Sequence, residues 1–138
     1  MKYLILILLT SCIDTTYVDQ EPELLNIAIE VRDELELRGV NVNVYTIPFM
    51  FDDSLISKIN ARAYYVSHTI IFDTGFFEEY IEHNPYEVYA TMAHELGHHL
   101  GLKHTTYESP MSSPIRHVYN KDELNLFYDD LAELVNQR

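Results

Sequence analysis

Four of the chain's seven histidines fall within the eleven residues His94–His104, in the run HELGHHLGLKH. His94 and His98 stand four apart, so on a helix they share a face and aim two imidazoles at one point. That spacing suits a zinc ion, whose Zn–N distances are about 2.0–2.1 Å. Glu95, beside the first of the pair, lies close to such an ion but is angled off it, where a general base acting on water belongs. Gly101 comes where the helix would end and the chain turn sharply, because glycine tolerates a left-handed φ. The turn can bring His104 back as a third ligand. Three neutral imidazoles leave a fourth position for water, the pattern of a catalytic zinc and not a structural one.

These groups need a helix beneath them and a domain around it. Pro85 starts a periodic stretch reaching about Leu100, with Val88, Met92 and Leu96 on one apolar stripe and the two histidines on another face. Upstream, Leu24, Ile27, Ala28, Val31 and Leu35 recur at helical spacing, and Gly39 stands where that helix would stop. In VNVNVYTIP, Val40, Val42 and Val44 alternate with Asn41 and Asn43, which predicts a half-buried strand ended by Pro48. Ala61–Asp73 is rich in β-branched and aromatic residues and predicts two more strands or a hairpin, followed by a short helix over Thr74–His83. Leu124, Phe127, Leu131, Leu134 and Val135 mark a C-terminal amphipathic helix. The order predicts an α+β domain.

Length and composition agree with one such domain. At 138 residues there is room for a single modest core, and 47% hydrophobic content describes a globular chain. A net charge of -13 with no basic patch speaks against a nucleic-acid partner. Cys12 is the only cysteine, which rules out an intrachain disulfide framework.

The surroundings of Cys12 matter more than its number. The chain opens MKYLILILLTSC, with an apolar run over Tyr3–Leu9 too short to span a bilayer but suited to the core of an export signal. Leu9, Thr10, Ser11 and Cys12 resemble the lipobox of bacterial lipoproteins, which implies a lipidated Cys12 as the mature N-terminus. A plain cleaved secretory signal and a buried N-terminal element are the rival readings. The expected organisation is a signal and lipobox over 1–12, a polar tether over 13–22 and a domain over 23–138. The expected location is the cell envelope or surface, through a lipid anchor, or else the secreted fraction.

His94, Glu95, His98, Gly101 and His104 fill every defined position of H-E-x-x-H-x-x-G-x-x-H, and the chain thereby resembles the metzincin metallopeptidases. With histidine as the third ligand it is most similar to their matrixin-like branch. The resemblance implies one catalytic Zn(2+) held by His94, His98 and His104, and a methionine turn beneath the metal, which Met111 in ESPMSSP would supply. It implies a fold with a long N-terminal helix, a small twisted sheet, the metal helix and a C-terminal helix. It also implies zinc-dependent peptide hydrolysis with Glu95 as general base, acting on a protein or peptide; the chain is expected to be a monomer. Ser113 stands where astacin-like and serralysin-like members carry a tyrosine ligand. The alternative reading is a surface-anchored protein that keeps zinc for stability and turns nothing over.

The remaining histidines are expected to play lesser parts. His99 is turned about 100° from His98 and shares a face with Glu95, His68 is expected in an edge strand, and His83 and His117 on the surface. His117 is also a candidate for lining the specificity pocket. For Cys12, membrane fractionation of the wild type and Cys12→Ser should differ. Equal membrane binding with an intact signal by mass spectrometry would favour an uncleaved anchor instead.

Overall fold

The computed structural model describes residues 18–54, 59–64 and 66–138. Cys12 and the apolar run before it lie outside the described residues, as does residue 17 and everything before it in the expected tether. Among the described residues the order is helix α1 (Pro22–Glu36), strands β1 (Phe49–Asp52), β2 (Ala61–Ala63) and β3 (Ile70–Asp73), then helices α2 (Thr74–His83), α3 (Pro85–His99) and α4 (Lys121–Asn136). The domain is α+β, with a small three-stranded sheet. No helix of the described residues is long and apolar enough to cross a membrane.

Helix α1 buries Leu24, Ile27, Ala28, Val31 and Leu35, the stripe its periodicity marks. It closes at Gly39, where φ is +81° and the Val40 N–H reaches back to the Leu35 carbonyl at 3.0 Å. Nothing lies within 4 Å of where a Cβ on Gly39 would be. Glycine is needed there for the left-handed backbone and not for space.

The strand expected over Val40–Val44 is absent, and its place is taken by an extended segment running into a short 3-10 turn, Val44–Thr46. The alternation of burial is real, with Val40, Val42 and Val44 buried between exposed asparagines. Period-two burial needs only an extended backbone against a core, not a ladder partner. Side chains engage the backbone at the end of this segment. Gln20 Nε2 donates to Val44 O and to Ile47 O, both at 2.9 Å, and Asn43 Oδ1 accepts from Tyr45 N at 3.2 Å. The strand begins after Pro48 instead of ending there.

β1 pairs parallel with β3, Phe49 opposite Ile70, and β2 pairs antiparallel with β3, Ala61 opposite Phe72. The order β1-β3-β2 leaves β2 at an edge. His68 is not in that strand. It lies in the turn between β2 and β3 at a φ of 55°, a left-handed conformation that histidine adopts more readily than most residues.

Asp73 caps α2 by accepting from Phe76 N at 2.8 Å, and Asn84 then leads into α3 through Pro85, a residue suited to the first helical turn. Helix α3 touches α1, α2, α4 and β2, and its middle and C-terminal turns are buried on every side, from Glu87 to His98 with only Tyr89 half-buried. A helix covered all round has its orientation set by every neighbour at once.

The stripe on α1 gives a direct comparison. Leu35 is fully buried and Leu37, two residues on, is 81% exposed. Urea denaturation should show Leu35→Ala costing about 2–5 kcal/mol and Leu37→Ala within about 0.5 kcal/mol of wild type.

Candidate metal centre and its cleft

His94, Glu95 and His98 leave α3 one turn before its end. Gly101, at φ +92°, reverses the chain, with Gly101 N bonded to His98 O and Leu102 N to Gly97 O, both at 2.9 Å. That closure returns His104 to the two helical histidines. His104 Nε2 lies 3.3 Å from His94 Nε2 and 3.0 Å from His98 Nε2.

Backbone carbonyls decide which nitrogens meet. His94 Nδ1 lies 2.7 Å from Pro110 O and His98 Nδ1 lies 2.9 Å from Leu102 O. A carbonyl oxygen only accepts, so each Nδ1 carries the hydrogen, and in the neutral ring Nε2 then holds the lone pair. Burial keeps both rings neutral. It pushes His94 down to about 4, with the neighbouring imidazoles His98 and His104 adding to the shift, and it lowers His98 as well.

Two imidazole nitrogens with lone pairs, both turned on the Nε2 of a third imidazole, are a donor set that suits a metal ion. Tetrahedral ligands at Zn–N distances of about 2.0–2.1 Å stand about 3.3 Å apart. The observed separations match that spacing, so His94, His98 and His104 fit a zinc ion. They are the one group of three or more such ligands that converges among the described residues.

Beneath them lies the turn carrying Met111. Ser112 N bonds to Ser109 O at 3.1 Å and Thr105 N to Met111 O at 3.0 Å, tying the turn to the strand-like run beyond His104. Met111 is fully buried. Its sulfur sits so close to α3 that a Cβ on Gly97 would come within 2.6 Å of it and within 3.2 Å of Leu131. Gly97, an unspecified position between the two helical histidines, is therefore a packing requirement that spacing did not reveal. Pro110, in the same turn, supplies the carbonyl that orients His94.

Glu95 is almost wholly buried, and its Oε2 has no protein partner among the described residues. Burial lifts its carboxyl to about 7, against the pull of the Ala63 N–H on the edge strand and the Arg62 charge. A cation held nearby favours the carboxylate.

A cleft of about 790 Å³ opens over these groups, bounded by Ile59–Tyr64 on one side and by Ser113, Pro114 and Ile115 on the other. Glu87 steadies the second wall. It is buried in the first turn of α3 and accepts from Val118 N and from His117 Nδ1, each at 3.0 Å. Asn84 Nδ2 donates to Val118 O at 2.9 Å. In sequence, Glu87 looks like an ordinary acid at a helix N-terminus. Only its burial distinguishes it.

The matrixin family model (peptidase M10) matches residues 40–136, more than two thirds of the chain. The chain belongs to the matrixin family. No curated protein and no solved structure matches it. The matrixin match begins at Val40 and so leaves out α1, although α1 packs on the metal helix.

The other histidines are not part of the converging three-histidine group. His99 is half-buried and meets His68 edge to face, ring centroids 5.6 Å apart. Burial, with His68 adding to it, lowers its pKa. His83 is exposed against the Glu79 carbonyl, and His117 is mostly exposed in a shallow extension of the cleft.

Gly97→Ala should cost about 1–3 kcal/mol in urea denaturation, because the added methyl must displace the Met111 sulfur. Combining it with Met111→Ala should cost less than the sum of the two single changes.

Proposed function

We propose that the chain is a zinc-dependent endopeptidase, with His94, His98 and His104 as ligands of one catalytic ion and Glu95 as general base. The observation that carries this reading is a buried carboxylate oxygen without a protein partner, set beside three converging Nε2 atoms in an open cleft. A structural site has no use for such a base.

When bound, zinc supplies Lewis acidity to a substrate carbonyl and to water. The chain supplies position and proton transfer. The free edge of β2 faces the cleft and offers backbone groups to an extended peptide. Glu95 Oε2 takes a proton from the attacking water and delivers it to the departing amine nitrogen. The Ala63 N–H holds the carboxylate against the edge strand, so base and substrate share one register. Pro110 and Leu102 keep the imidazoles from turning. The enzyme acts as an exported monomer on protein or peptide substrates, tethered by lipid at Cys12, a reading supported by the apolar run and lipobox-like residues before it.

Glu95→Gln tests the mechanism. The side chains are nearly isosteric, so fold and zinc content should persist while kcat falls by about 10²–10⁴-fold, with KM little changed. In parallel, His104→Ala should bind less zinc than wild type by elemental analysis. Wild-type turnover by zinc-loaded Glu95→Gln would overturn the general-base role. A zinc-loaded wild type that cleaves no peptide library would instead make the chain a zinc-stabilised binding protein.

A further inference from the structure

We infer that the cleft selects acidic peptide segments, through Arg62 on the edge strand and Lys103 beside His104. This rests on the peptidase reading and names the substrate class of that site.

The chain has 22 acidic residues against 9 lysines and arginines, so cations are scarce and their placement informative. Most described arginines are already engaged. Arg32 pairs with Asp33 at 2.7 Å, Arg38 with Glu34 at 2.8 Å and Asp129 at 2.6 Å, and Arg116 with Asp130 at 2.9 Å. Arg138 donates to the Leu100 carbonyl. Among the described residues, no carboxylate lies within ion-pair distance of Arg62 or Lys103, and both are exposed in the lining of the cleft. Lys121, likewise without an ion pair, stands at the start of α4 outside that lining.

Among the described residues the cleft lining holds no competing surface anion. Glu95 is the one carboxylate among its lining residues, and it is buried. The extension towards Gly101 is lined by Ala63, Tyr64 and three histidines, without an acid. The extension past Ser113 carries Glu108, together with Arg116 and His117. The Arg62 guanidinium sits 5.8 Å from the Tyr64 ring centroid, which limits its wandering.

The net charge of -13 pulls the other way, since it repels anions at long range. At about 0.15 M salt, however, exposed charges beyond about 8 Å are largely screened. A peptide carboxylate in the cleft lies against a lining that carries both cations and, among the described residues, no exposed acid. Local charge then decides the preference.

The test uses the zinc-loaded full-length chain carrying Glu95→Gln, so that peptides bind without being cut. The probes are three pools of short fluorescent peptides with randomised apolar centres, whose flanking residues are all Glu, all Gln or all Lys. At about 0.15 M salt, anisotropy should show the Glu pool binding about three- to tenfold more tightly than the Gln pool, with Lys weakest. Raising the salt should shrink that ratio. Arg62→Gln and Lys103→Gln should each reduce it, and Arg62→Glu with Lys103→Glu should reverse the order. Equal affinities, a Lys pool that binds best, or no binding by any pool would overturn the inference. Wild-type turnover of the same pools keeps the two readings apart. If nothing is cut while the affinity order persists, the peptidase reading fails and the acidic preference stands.

Discussion

Two ring N–H groups need two carbonyls, and the three-histidine site hangs on that requirement. An imidazole on a helix can turn about its bonds and present either nitrogen. Pro110 and Leu102 remove the choice by accepting from Nδ1 of His94 and His98, which leaves both Nε2 atoms facing His104. Neither carbonyl comes from the helix. One belongs to the turn under it and the other to the reversal just past its end, so the ligand set forms only when both loops are closed. Burial then holds the rings neutral, the form in which an imidazole can donate to a metal.

The same helix carries two buried acids with opposite surroundings. Glu87, in its first turn, is satisfied by Val118 N and His117 and serves to hold a wall. Glu95, two turns on, keeps an oxygen without a protein partner. An unsatisfied buried acceptor costs about 1–3 kcal/mol, so such a group in a native protein calls for a specific reason such as a bound ion, an ordered water or a reactive role. The contrast leaves one acid satisfied and the other with an oxygen that has no protein partner among the described residues, although both read alike as glutamates on an amphipathic helix.

The cleft has one regular wall and one irregular wall. β2 is short and pairs with a strand on one side only; on its other edge the Ala63 N–H is taken by Glu95, and no further strand lies there among the described residues. The opposite wall, from Ser113 to Val118, has no ladder of its own. It is held from outside by Asn84 and Glu87 at the start of α3, and by the Arg116–Asp130 pair, with the Arg116 guanidinium over Phe127 of α4.

Sequence alone determined what depends on local period and local turns. The helical stripes, the hairpin of β2 and β3, the stop at Gly39, and the spacing that brings His94, His98 and His104 together all follow from rules spanning a few residues. Gly101 belongs with them, since a helix followed by a reversal demands a left-handed residue. Tertiary structure decided whatever depends on a distant partner. The valine alternation at 40–44 was legible, but no ladder partner lies beside it and Gln20 instead bonds the Val44 and Ile47 carbonyls at its end. Gly97 looked like filler until Met111 packed against it. Glu87 looked like a surface acid until Val118 folded over it. Periodicity reports which face is buried, and it is silent on what lies against that face. The close approaches, the orienting carbonyls and the unpaired oxygen of Glu95 all come from that second piece of information.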